Sequence, residues 1–166
     1  MLPPDEPTAE IACTVNGEAI RTQVPLRRSL VDWLRHDVGL TGSHVGCEHG
    51  VCGACHVRVD GQVVRGCLML AVQADGAAVE TIEGCRDALT LALQDAFFRH
   101  AALQCGFCTP GMILQAAELL AHNPAPSRPE VREALSGNYC RCTGYQPIID
   151  AVMSLRAATP PELPAE

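Results

Sequence analysis

Ten cysteines in a chain of 166 residues constrain this sequence more than any other feature, because so many thiols must either pair with one another or bind something. Two quartets account for most of them: Cys47, Cys52, Cys55 and Cys67 in the first half, Cys105, Cys108, Cys140 and Cys142 in the second. Cys13 and Cys85 stand apart and read as small buried hydrophobes.

A disulfide framework requires a secretory route and usually a much shorter chain. The stretch MLPPDEPTAE is acidic and proline-rich, without the basic, apolar and small-residue regions of an export signal. Arg27 and Arg28 lie too deep for a twin-arginine signal and lack the apolar run that would follow. No apolar stretch is long enough for a membrane span. The expectation is a cytoplasmic protein whose thiols stay reduced and are free to ligate metal.

At this length a chain with 48% hydrophobic residues can bury roughly 70% of the surface its unfolded form exposes, as one domain or two small ones. Its 12 basic residues, all Arg, stand against 19 acidic ones for a net charge of -7. That balance leaves no concentrated basic patch, so nucleic acid is not an expected partner.

Along the chain, residues 1–10 read as a flexible tail. Ile11 to Val15 and Ala19 to Val24 flank Asn16-Gly17 and predict a first hairpin. Ser29 is placed to cap a short helix carrying Leu30, Val31, Leu34 and Val38, with Trp33 on its flank. A glycine-rich loop follows from Gly39 to Ala54. His56 to Val59 and Gln62 to Arg65 straddle Asp60-Gly61 as a second hairpin, and a further strand is expected around Ala78 to Ile82.

From Cys85 the periodicity turns helical, through Leu89, Leu93 and Phe97 to Met112, Ala116 and Leu120. Thr109-Pro110 predicts a cap followed by a first helical residue, and Asn123-Pro124 ends that helix. Ser127 to Ser136 and Tyr145 to Ala157 predict two more helices. The expected fold is α+β: a β-rich unit over 11–84, a four-helix unit over 85–157, and a proline-rich disordered tail over 158–166.

The first quartet follows C-x4-C-x2-C with a fourth cysteine further on, the plant-type pattern for a two-iron, two-sulfur cluster. Gly42, Gly46, Gly50 and Gly53 remove bulk around those ligands, so backbone N–H groups can approach the sulfurs. Structural zinc is the competing reading, although zinc sites more often use two short pairs than three clustered thiolates on a glycine loop. His44, His49 and His56 raise a Rieske-type centre. Four cysteines already suffice, so these histidines read as solvated loop or hairpin residues.

In the second quartet Cys105 and Cys108 precede one predicted helix, and Cys140 and Cys142 precede another. Helix N-termini offer unpaired N–H groups and partial positive charge, which suit an anionic cluster. Read by itself, the C-x2-C pair is also compatible with a redox dithiol beside two unrelated thiols.

The runs GCEHGVCGAC (Gly46 to Cys55), RGCLM (Arg65 to Met69), QCGFCTPGM (Gln104 to Met112) and GNYCRCTGYQPI (Gly137 to Ile148) carry a resemblance. Over about Ile11 to Ala157 the sequence resembles the small iron-sulfur subunits of molybdenum hydroxylases, the xanthine oxidase family. The resemblance implies a plant-type ferredoxin (β-grasp) domain followed by a four-helix bundle, each holding one 2Fe-2S cluster on its quartet.

It also implies an electron-transfer subunit with no catalytic residue of its own. Its partners would be a large subunit carrying molybdenum on a pterin cytosine dinucleotide and a medium subunit carrying FAD, in a heterotrimer or a dimer of heterotrimers. Electrons would pass from molybdenum through the helical-domain cluster and then the ferredoxin-domain cluster to FAD. By the same likeness Gln104 would hydrogen-bond the pterin, and Cys142 would both ligate iron and lie against the pterin amino group. One departure is His56, where such subunits commonly carry Thr. The alternatives from other classes are a free two-cluster ferredoxin shuttling electrons and a zinc-stabilised adaptor.

Overall fold

The structure, a computed structural model, describes residues 6–157. Residues 1–5 and the proline-rich end 158–166 lie outside the described residues. Strand β1 (Thr8–Val15) pairs antiparallel with β2 (Glu18–Pro25), from Thr8 opposite Pro25 to Val15 opposite Glu18. Strand pairing thus claims residues 8–10, which the sequence places in a tail. Asn16 and Gly17 turn the hairpin with positive φ values of 52° and 84°, the combination this tight turn needs.

Alternation along β1 buries Ile11, Cys13 and Val15 on one face. Helix α1 (Leu30–His36) covers that face with Leu30, Trp33 and Leu34, and starts where Ser29 Oγ accepts from the Asp32 N–H at 3.2 Å. Strands β3 (His56–Val59) and β4 (Gln62–Arg65) form the second hairpin. After a 3-10 turn at Ala71–Ala74, β5 (Ala78–Glu80) enters the middle of the sheet, parallel to β1 and antiparallel to β3. The sheet is therefore mixed, in the order β2-β1-β5-β3-β4.

The remainder is helical: α2 (Ala88–Arg99), α3 (Thr109–His122), α4 (Arg128–Ala134) and α5 (Gln146–Met153). Asp87 caps α2 by accepting from the Thr90 N–H at 2.8 Å, and Ser127 with Glu130 forms a capping box on α4. At α3 the expectation is off by one residue. Cys108 holds the cap position with its carbonyl accepting from the Met112 N–H at 3.0 Å, so Thr109 is already helical. Helix α5 starts after Tyr145 and ends at Met153, short of the predicted Ala157. No helix among the described residues is long and apolar enough to cross a membrane.

Each half has its own core, one centred on Trp33, Leu34 and Val79, the other on Phe97, Met112, Leu135 and Ile148. Polar ties join them. Arg58 on β3 donates to Asp87 at 2.8 Å and to Thr90 Oγ1 at 3.0 Å on α2, and the Val63 N–H on β4 donates to Glu118 on α3 at 2.8 Å.

Candidate metal centre

The loop between α1 and β3 carries Cys47, Cys52 and Cys55, and Cys67 follows β4. This loop folds over itself through left-handed turns. Gly53 (φ 69°) is required twice over, because a Cβ there would also meet Asn138 Nδ2 at 2.5 Å and the Gly137 carbonyl at 2.7 Å. The turns aim amides at sulfur. Burial raises the Cys47 thiol, but the backbone N–H groups of His49, Cys52 and Val51 and the Cys52 thiol outweigh it and bring Cys47 down to about 6. Cys55 is pushed up to about 12, chiefly by burial. Cys47 and Cys52 interact as one thiol pair, Cys55 and Cys67 as another.

The second quartet also comes in pairs. Cys105 and Cys142, both exposed, have their sulfurs 3.6 Å apart. Cys108 and Cys140 form the half-buried pair beneath, with burial, ahead of the neighbouring thiols, pushing Cys108 up to about 12. Cys140 and Cys142 do not sit on the first turn of α5 but on a bend ahead of its cap, Tyr145, whose backbone is left-handed (φ 68°). The Tyr145 phenol accepts from the Cys140 N–H at 2.9 Å. Burial raises the Cys140 thiol, and it is outweighed by the Thr143 hydroxyl and by the Thr143 and Cys142 N–H groups, which lower it. Gln104 is exposed, and its amide Nε2 donates to the Cys142 carbonyl at 3.2 Å, leaving its second N–H and its carbonyl oxygen for other partners.

The quartets meet across the seam between the halves. The Tyr139 N–H donates to the Cys52 carbonyl at 2.9 Å, and Asn138 Nδ2 reaches the Gly53 carbonyl at 3.4 Å. Phe107, between Cys105 and Cys108, stacks on His44 at a centroid distance of 4.7 Å. His56 corrects the expectation of a solvated residue. It is 2% exposed, with Nδ1 3.3 Å from Asn138 Nδ2 and 3.4 Å from the Gly111 carbonyl, and burial lowers its pKa. His44 is half-buried and His49 exposed. Cys13 and Cys85 are buried as expected, and Cys85 lies 3.7 Å from Arg58. Asn138, Tyr139, Phe107 and Thr143 stand inside the sequence motifs, but ligand spacing assigns them nothing because their partners are remote in the chain.

Two thiolates on one tetrahedral metal at about 2.3 Å stand about 3.8 Å apart, close to the Cys105–Cys142 separation. Among the described residues, no three His, Cys, Asp or Glu side chains converge on a single ion position. Paired thiols match a two-iron cluster, which takes two thiolates per iron, whereas one zinc ion needs four donors around a point. The donor set therefore fits 2Fe-2S chemistry.

Comparison with known proteins agrees. Residues 13–86 match the 2Fe-2S iron-sulfur cluster binding domain family, and residues 81–153 match a second 2Fe-2S binding domain family. The chain is 55% identical over 144 residues to the nicotine 6-hydroxylase small subunit of Paenarthrobacter nicotinovorans, covering 87% of each chain. It is 51% identical over 153 residues to the caffeine dehydrogenase subunit gamma of Pseudomonas sp. (strain CBB1), covering 90% of this chain and 92% of that one. Its fold superposes on a chain of quinoline 2-oxidoreductase from Pseudomonas putida 86 with a TM-score of 0.82 and 54% identity, covering 89% of this chain and 91% of that chain. With this agreement between paired thiols, two iron-sulfur domains and near full-length relatives, the chain belongs to the small iron-sulfur subunits of molybdenum hydroxylases.

Proposed function

We propose that this chain carries electrons inside a molybdenum hydroxylase complex, holding one 2Fe-2S cluster on Cys47, Cys52, Cys55 and Cys67 and a second on Cys105, Cys108, Cys140 and Cys142. When bound, the clusters supply one-electron carriers; the chain's own residues fix where they sit and what surrounds them. The observation that carries this reading is the Tyr139 N–H to Cys52 carbonyl bond, which sets a residue adjoining one quartet against a member of the other. We assign the first cluster to a plant-type ferredoxin (β-grasp) unit, the expected 11–84 extended to Thr8 by β1, and the second to a four-helix bundle over 85–157.

Exposure orients the chain in the complex. The exposed pair Cys105 and Cys142, with Gln104 beside it, suits contact with the pterin of a large molybdenum subunit carrying a pterin cytosine dinucleotide. The first quartet, flanked by exposed Val51 and Leu68, suits contact with a medium subunit carrying FAD. Electrons then run from molybdenum to the second cluster, across the seam to the first, and on to FAD. In this reading Cys55 and Cys108, whose thiols are held up at about 12, give up protons when iron binds.

A freely diffusing ferredoxin docks through small, charged, transient patches. Here large apolar side chains stand exposed beside the quartets, Val51, Leu68, Leu103, Phe107 and Tyr139, alongside the charged Glu48 and Arg141, and that apolar area favours permanent subunit contacts. The test is paramagnetic resonance on the dithionite-reduced complex. Two distinct cluster signals are expected, and a single signal or none contradicts the assignment.

A further inference from the structure

We propose that Thr143 sets the reduction potential of the second cluster by donating its hydroxyl hydrogen to the sulfur of Cys140. The inference rests on the proposed ligand role of Cys140.

Thr143 Oγ1 lies 3.1 Å from Cys140 Sγ, a contact in which either atom can be the donor when the thiol is protonated. Two neighbouring bonds fix the direction. The Tyr145 N–H donates to the same Oγ1 at 3.1 Å, so the hydroxyl already accepts there and its single hydrogen remains to be placed. The Cys140 N–H is directed to the Tyr145 phenol oxygen at 2.9 Å, and a ligand thiolate has no hydrogen of its own to offer. Thr143 is therefore the donor. The three residues close a loop in which Tyr145, strained into a left-handed backbone at φ 68°, orients the hydroxyl toward sulfur.

A hydrogen bond to an anionic acceptor strengthens as that acceptor gains charge. A 2Fe-2S cluster held on this quartet would take one electron from the substrate-reduced molybdenum partner, one iron passing from ferric to ferrous with no covalent bond broken. The cluster's sulfurs become more negative, and a donor held on one of them favours the reduced form. Thr143 is half-buried, which keeps the bond from exchanging freely with water. Among the described residues it is the one side-chain hydroxyl bonded to a quartet sulfur, so its loss should move one cluster and spare the other.

The experiment is a redox titration of the native complex, purified through a tag on this chain and followed by paramagnetic resonance. Thr143→Val keeps the shape and removes both the hydroxyl hydrogen and the acceptor for the Tyr145 N–H; Thr143→Ser keeps both. With both clusters retained, Thr143→Val is expected to lower the second midpoint by about tenfold in the one-electron equilibrium, about 59 mV, and to leave the first unchanged. Thr143→Ser is expected to match the wild type. An unshifted Thr143→Val midpoint, or a Thr143→Ser midpoint that falls equally, overturns the proposal. Should Thr143→Val lose its second cluster, Thr143→Ala is read in its place, and loss in both means that the hydroxyl only holds the loop. A wild-type complex without two cluster signals instead sinks the ligand assignment, which separates the two failures.

Discussion

The backbone N–H of Tyr139 donates to the carbonyl oxygen of Cys52 at 2.9 Å, joining the residue beside Cys140 to a cysteine of the other quartet. Neither residue lies near the other in sequence. The bond forms because Gly53 has no side chain, so the Gly137 carbonyl and the Asn138 amide lie where its Cβ would be.

That close approach predicts an inverted glycine effect at Gly111. An alanine in a helix interior normally stabilises by up to about 1 kcal/mol over glycine. Here a Cβ at Gly111 would run into the Gly53 carbonyl, a backbone atom that has no rotamer with which to escape. Gly111→Ala is expected to destabilise by about 1–3 kcal/mol, as overpacking does. Thermal unfolding checks it; a stabilised variant contradicts the seam geometry.

Asn138 holds the same seam from the side. It is 2% exposed and its Nδ2 reaches the Gly53 carbonyl at 3.4 Å. Asn138→Ala is expected to cost about 1–3 kcal/mol, leaving the buried Gly53 carbonyl with the His56 N–H at 3.4 Å as its remaining donor. Denaturant unfolding gives the value, and backbone hydrogen exchange at Tyr139 should quicken with it.

Much of the candidate site was legible because its proposed ligands are local: C-x4-C-x2-C, C-x2-C and C-x-C are spacings within single loops. Hairpins at Asn16-Gly17 and Asp60-Gly61 were legible for the same reason, since two residues determine the turn. What spacing could not carry is contact between segments far apart in the chain. His56 begins an alternating strand and reads as a hairpin residue, yet Gly111 and Asn138 from the other half bury it. Likewise the short β5 finds its place between β1 and β3 through pairing on both edges, which its own sequence does not specify. The cap of α3 moved from Thr109 to Cys108 because backbone conformation at the ligand loop, not side-chain preference, starts that helix.

Asp87 predicts a pH dependence. Burial raises its carboxyl, but the Arg58 guanidinium and the Thr90 N–H and hydroxyl outweigh it and hold the group down at about 2. A carboxyl depressed in the folded state adds stability above its ordinary value of 3.8, and that stability is lost as pH falls from there through about 2. Asp87→Asn preserves a good helix cap while removing the charge. The stability difference between wild type and Asp87→Asn should be constant from neutral pH to about 5 and close below about 4. Taking the difference cancels acid effects common to both proteins; an unchanged gap at pH 2 contradicts the ion pair's role.

The electron order predicts an asymmetric block. Cys52→Ser or Cys55→Ser should abolish the first cluster and stop transfer to FAD, while substrate still reduces molybdenum and the second cluster. Rapid mixing with substrate under anaerobic conditions separates these steps. Loss of molybdenum reduction, with its cofactor still bound, would reverse the proposed order.

The most direct measurement is a metal, sulfide and flavin count on the native complex, purified through a tag on this chain. The account predicts about four iron and four acid-labile sulfide per chain, as two 2Fe-2S clusters, with about one molybdenum and one FAD on larger partners. Zinc in place of iron, or a chain that purifies alone with iron but with neither molybdenum nor FAD, would contradict it.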